Sequence, residues 1–191
     1  MVGNTSNFSR IDILRCFLRL TKETGRQELA KELELGEGTI RTILNALKSK
    51  KLLHSTKKGH FLSSKGGRIL NEMLKNIGMV KETRLKSVYP NAKKVAVLIR
   101  KVPSLKQLHK LRDIAVKNGA DGALILKFNG KLYAQESGYE MDFKELEKLF
   151  HLNNDDALIV AFSLNRKSAE NGALAIAIEL KDSLKKFIGI F

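Results

Sequence analysis

Residues 35–53, LGEGTIRTILNALKSKKLL, constrain the fold more than any other stretch. Two glycines, Gly36 and Gly38, stand directly before Ile40, Ile43, Leu44 and Leu47. Those four apolar residues recur at i, i+3, i+4 and i+7, the period of one helix face. Gly36 is an acceptable N-cap, so a helix starts there and must bury the stripe against other helices. The opposite side carries Glu37, Gly38, Thr39, Arg41, Thr42, Asn45 and Lys48. A first turn with no side chain at Gly38 lets another backbone come close, and free N–H groups at a helix start favour phosphate.

Partners for the stripe lie upstream. IDILRCFLRL reads as a helix burying Ile11, Ile13, Leu14, Phe17, Leu18 and Leu20, with Ser9 as N-cap. GRQELAKELEL reads as a short second helix burying Leu29, Ala30 and Leu33. Downstream, Leu52–Ser55 and His60–Leu62 read as strands around the turn Thr56–Gly59, and Ser63 or Ser64 then caps a helix burying Leu70, Met73 and Leu74. Two short helices, a tight turn and a helix with a small polar face make the helix-turn-helix arrangement, whose second helix is sized for the major groove.

With the basic hairpin after it, the segment resembles the winged helix-turn-helix family of prokaryotic transcription regulators, archaeal type. The likeness covers about residues 9–76 and rests on ELAKELELGEGTIRTILNALKSKKLL and KKGHFLSSKGGRIL. It implies that Glu37, Thr39, Arg41, Thr42 and Asn45 face bases, with the bare Gly38 among them as a DNA-contacting position. Lys48, with Lys50 and Lys51, then forms the basic end of the recognition helix, and Lys57, Lys58 and His60 form the wing. Arg41 suits guanine edges and Asn45 adenine edges. Glu37 departs from a purely basic surface; it either accepts from a cytosine amine or faces the positive end of the helix dipole.

Charge agrees with a polyanionic partner. The chain carries 35 Lys+Arg against 20 Asp+Glu, a formal net charge of +15. Residues 1–90 hold 18 Lys+Arg and 8 Asp+Glu, net +10, whereas residues 91–191 hold 17 and 12, net +5. The helical periodicity is concentrated in the first half and the continuous apolar runs in the second. A boundary falls in IGMVKETRLKSVYPNAKK, giving expected domains 1–78 and 79–191.

In the second half KKVAVLIR reads as a strand. Ser104 and Gln107 have capping-box spacing before a helix ended by Gly119. GALILKFNGKLYAQE reads as a hairpin with a type I′ turn at Asn129–Gly130. MDFKELEKLF follows as a short helix with Asp142 and Glu145 in capping-box spacing, then ALIVAFSL as a buried strand. The β-α-β-β-α-β order over Lys93–Leu164 leads to an expected ferredoxin-like sandwich, α+β overall. SAENGALAIAIELKDSLKKF reads as a helix, with Gly172 and Ala173–Ile178 leaving a strand open. The apolar end FIGIF is expected to pack on this domain or on a second subunit. Leu111–Leu126 and Asn129–Tyr133 resemble an uncharacterised domain that follows a winged helix in a group of archaeal proteins, which implies no known chemistry.

Catalysis finds no foothold. His54, His60, His109 and His151 lack metal-ligand spacing, and no phosphate-loop or nucleophile-elbow motif is present. Asp155 and Asp156 read as a turn before a strand. The one cysteine, Cys16, sits in an apolar run and suits a reducing compartment. No stretch of about 18 apolar residues occurs, so no membrane partner is expected. The expectation is a cytoplasmic, non-enzymatic DNA-binding regulator without cofactor or metal. Its partners would be double-stranded DNA, a second copy in a homodimer and a possible small-molecule effector. The alternative is a protein- or RNA-interaction module with a structural assembly domain.

Overall fold

A computed structural model describes residues 8–85, 88–135 and 141–191. The chain is a mixed α/β protein, with helices predominating at the N-terminal end and an antiparallel sheet with helices after them. It forms two compact units, Met1–Met73 with Lys186–Phe191, and Leu74–Lys185.

The first unit opens with α1, Arg10–Arg19. Ser9 caps it in a reciprocal box: the hydroxyl accepts from the Asp12 amide at 3.2 Å, and the Asp12 carboxylate accepts from the Ser9 amide at 2.9 Å. Asp12 also takes Arg15 Nη1 at 2.9 Å, and both side chains are buried. Arg15 Nη2 donates to the Leu33 carbonyl at 3.0 Å, so this arginine ties α1 to the end of α2, Arg26–Leu33. Glu34 ends α2 in the left-handed region, φ +55°.

Helix α3 runs Glu37–Ser49 with Gly36 as N-cap, and Ile40, Ile43, Leu44 and Leu47 are buried on its inner side. Each such burial stabilises by about 1.5–3 kcal/mol, which is why the stripe sets the helix orientation. Strands β1, Leu53–Ser55, and β2, His60–Leu62, then pair antiparallel with Leu53 opposite Leu62. Thr24 extends this pair, exchanging backbone bonds with His60 at 3.0 and 2.9 Å. Gly59 is required there: a Cβ would stand 2.9 Å from the Thr24 carbonyl oxygen. Ser63 caps α4, Ser64–Asn76, accepting from the Gly66 amide at 3.0 Å and donating to the Lys51 carbonyl at 2.7 Å.

The second unit holds β3, Lys81–Thr83, β4, Lys93–Ile99, α5, Leu108–Lys117, and β5, Gly122–Asn129. Then come β6, Lys131–Ala134, α6, Lys144–Glu147, β7, Ala157–Ser163, α7, Arg166–Leu180, and α8, Asp182–Ile188, which crosses into the first unit. The strands form one antiparallel sheet in the order β3-β4-β7-β5-β6. Helices α5 and α7 cover one face. Leu98, Leu126, Leu158 and Val160 face the other, packed with Phe143, Leu146 and Phe150. Cover on both faces explains the unbroken apolar run of β7, buried throughout.

That strand order corrects the ferredoxin-like expectation. The element order β-α-β-β-α-β is present, but in a ferredoxin-like sandwich the third of those strands lies between the first and second. Here the fourth, β7, takes that place and the third, β6, is at the edge. The reason lies in composition: β6 carries exposed Lys131 and Tyr133, which suit an edge, whereas every residue of β7 is buried.

Local chemistry departs from expectation in three further places. Helix α5 starts at Leu108 with Gln107 as a left-handed N-cap, φ +53°, and no side-chain cap bond, so Ser104 and Gln107 form no box. Gly130 alone takes a positive φ, +75°, in the β5–β6 turn, so the turn is not type I′. Before α6, Asp142 accepts from the Lys144 amide at 2.9 Å, and Phe143 is the cap residue.

Residues 166–180 are helical. Gly172 lies where α7 meets α5, and a Cβ there would come within 2.5 Å of Ala120 Cβ. The apolar tail begins its packing inside the first unit: Phe187 is 1% exposed, with its ring centre 4.6 Å from that of Phe17 in α1. Close packing of two aromatic rings satisfies that surface inside the first unit.

Candidate nucleic-acid interface

The buried stripe of α3 turns its other side to solvent. Glu37, Gly38, Arg41, Thr42, Asn45 and Lys48 are exposed there, and Thr39 is half-buried. Thr42 Oγ1 donates to the Gly38 carbonyl at 3.1 Å, so its hydroxyl is occupied by the helix backbone. Among the described residues, the Arg41, Asn45 and Lys48 side chains make no hydrogen bond or ion pair. Packing does not demand Gly38: a Cβ there meets nothing within 4 Å. The same holds at Gly25, the N-cap of α2, and neither Gly25 nor Gly36 offers a side-chain cap. Their first-turn amides therefore receive no acceptor from the cap residue.

Glu37 pairs with Arg26 Nη2 at 3.2 Å, joining the first residues of α3 and α2. Both are partly exposed, so the pair contributes little to stability. Arg26 was not singled out by sequence reasoning. Its signal was its position: a cation in the first turn of a helix opposes the dipole and needs a nearby acid or anion.

Lys57 and Lys58 occupy the apex of the β1–β2 hairpin, both exposed. Thr56 shapes that apex, its hydroxyl accepting from the Lys58 and Gly59 amides at 3.0 and 3.2 Å. Thr56 also donates to Glu23, and Thr24 holds His60, so the hairpin is tied to the segment before α2. His60 Nδ1 lies 2.9 Å from Ser55 Oγ. Its pKa is lowered from the ordinary histidine value, first by burial and then by the positive charges of Arg26 and Lys48. Those two causes place His60 in a positive field drawn from α2 and α3. Lys50 and Lys51 follow at the end of α3, and Lys65 donates to the Lys50 carbonyl at 3.1 Å. The ten expected site residues thus lie on α3 and on the hairpin, within one compact unit.

Elsewhere charged groups serve the fold. Asp156, 1% exposed, accepts from Arg100 Nη1 at 2.6 Å, the Asn153 amide at 2.9 Å and the Lys101 amide at 3.2 Å. Asp155 takes a left-handed backbone, φ +68°. Burial pushes the Cys16 thiol up to about 12, which makes it unreactive in the closed state. Among the described residues no group of three or more His, Cys, Asp and Glu is placed to hold a metal. No helix of the described residues is long and apolar enough to cross a membrane.

Comparison with known proteins follows the same two-part division. Residues 11–68 match the family described as PH0730-like, N-terminal domain, and residues 90–180 match a domain of unknown function (DUF4443). The whole chain is similar to the solved structure of the hypothetical protein PH0730 from Pyrococcus horikoshii OT3, with 25% identity and a TM-score of 0.82. That likeness covers 97% of this chain and 100% of the other. No curated protein matches the chain.

Proposed function

We propose that the first unit is a winged helix-turn-helix head that binds double-stranded DNA. In this reading α3 lies in the major groove and the β1–β2 hairpin is the wing. The observation that carries the reading is the outward face of α3. Arg41, Asn45 and Lys48 project from it without protein partners, beside a Gly38 whose bareness packing does not require. Arg41 and Asn45 are the base-reading pair, Thr39 and Thr42 line the groove, and Lys48, Lys57 and Lys58 meet phosphates. Glu37 holds Arg26 and so orients the α2 end of the surface.

The protein is then a cytoplasmic transcription regulator, and it works as a homodimer. One recognition helix supplies few base contacts, and two heads on half-sites about one helical turn apart double them. Effector sensing by the second unit was expected from the ferredoxin-like analogy, and the observed strand order removes that support.

Binding to random duplex DNA across a salt series tests the reading. Neutralising Z phosphates gives a slope of log K on log salt of about −0.9Z. A slope of about −4 or steeper is expected. Absence of duplex affinity at low salt overturns the DNA reading in favour of a protein- or RNA-binding module.

A further inference from the structure

The chain enters the first compact unit twice, once through residues 1–73 and again through Lys186–Phe191. The second entry is anchored by a fully buried aromatic pair. Phe17 and Phe187 are 0% and 1% exposed, with ring centres 4.6 Å apart and planes inclined at 34°. Phe191 extends the contact, its ring 5.3 Å from that of Phe187. Phe17 lies in the middle of α1, the helix that Arg15 fastens to α2 and that also packs against α3. Without Phe187, Phe17 loses the ring packed against it, and the surrounding side chains fill such a gap only partly.

We infer that residues 186–191 form a strap that keeps α1 seated in the head, so that the closed state of the head depends on the far end of the chain. The strap is a conformational device, because α8 crosses from the second unit into the first between Lys185 and Lys186. Any change that draws α8 away from α1 loosens the helix behind α3. The inference does not depend on what α3 binds.

The chain carries its own reporter. Cys16 is its single cysteine, adjacent to Phe17 and 0% exposed. A thiol buried in this way reacts only when the surrounding structure opens, so its labelling rate measures local opening of α1. The experiment compares the full chain with Phe187→Ala, Phe187→Leu and Phe150→Ala, using an excess of a disulfide reagent under native conditions at fixed pH. Phe150 is buried in the second unit and controls for general destabilisation.

Phe187→Ala should label at least about tenfold faster than the parent chain. Phe187→Leu, which keeps an apolar side chain in place, should fall between them, and Phe150→Ala should stay near the parent rate. Amide hydrogen exchange should locate the acceleration in α1. Parental labelling in Phe187→Ala overturns the strap, and so does equal acceleration by Phe150→Ala. If Phe187→Ala does not fold, Phe187→Leu decides on the same criterion.

Discussion

The cations of the candidate interface and three cations of the second unit are used in opposite ways. On the head, Arg41, Lys48, Lys57 and Lys58 stand in solvent and make no ion pair among the described residues. In the second unit, Lys94, Lys127 and Arg100 are instead turned inward to hold loops. Lys94 is 3% exposed and donates to the Tyr89 and Ala92 carbonyls at 2.8 and 3.0 Å. Burial lowers its pKa. Lys127, 5% exposed, donates to the carbonyls of Val102 and Asp155. Arg100 bridges Asp156 and the His151 carbonyl. The formal charges, +10 for residues 1–90 and +5 for residues 91–191, differ in number as well. A lysine whose donors are spent on its own backbone offers little to a polyanion, so Lys94 and Lys127 add less to an attractive field than their formal charge suggests.

The largest effect should come from breaking an inward-facing group. Asp156→Ala removes the acceptor for Arg100 and for two backbone amides at a fully buried position. A loss of about 3–5 kcal/mol in unfolding free energy is expected, read by chemical denaturation. DNA affinity of the protein that remains folded should not change. A loss below about 1 kcal/mol would mean that this network does not hold the second unit together.

The outward group should behave in the reverse sense. Arg41→Ala should weaken binding to a selected DNA site by about 1–3 kcal/mol and leave the melting temperature unaltered. Unchanged affinity in a gel-shift titration would remove α3 from the interface. A fall in melting temperature would show that Arg41 contributes to folding, against its exposed and unpartnered position.

These two groups were unequally legible in the sequence. The α3 face was readable because a helix with one buried stripe fixes its other side by period alone, from Ile40 to Leu47. The hairpin was readable from two short strands around a glycine-bearing turn. The fate of Lys94, Lys127 and Arg100 was not readable, because each bonds to loop carbonyls whose position depends on the folded loops. Strand order escaped for the same reason: pairing β7 between β4 and β5 is a non-local choice, decided by which strand can be buried on both faces. Arg15 is fully buried between Asp12 and the Leu33 carbonyl, a place that the apolar period of α1 does not announce. The tail was recognised as too apolar for solvent, but nothing in FIGIF names Phe17 as its partner.

The wing should show a smaller, sequence-independent effect. Replacing Lys57 and Lys58 together with alanine should weaken binding to all duplexes about equally and reduce the salt slope by about two. Both lysines are exposed at the hairpin apex, so the melting temperature should hold. An altered base preference with an unaltered slope would make the wing a base reader and divide the head's cations into different roles.

His60 should give the smallest effect, and it tests the boundary between the inward and outward groups. It is half-buried in β2, bonded to Ser55 through Nδ1 and held by Thr24 through its backbone. Burial, then Arg26 and Lys48, lower its pKa below the usual 6.5, so the free protein carries it neutral at pH 7. A phosphate brought close would offset those positive charges and raise the pKa in the complex. The complex then binds more protons than the free protein across the interval between the two pKa values, and affinity must rise as pH falls through it. One group gives a slope of log K on pH between zero and about −1. Folding runs the other way: a histidine whose pKa is lowered in the native state is protonated more readily when unfolded, so it costs stability as pH falls below 6.5. Binding measured from pH 8 to 5.5 on the parent chain and on His60→Gln separates the cases. A slope present in the parent and absent in the variant places His60 among the outward cations. The same slope in both would assign it to the groups that serve the fold alone.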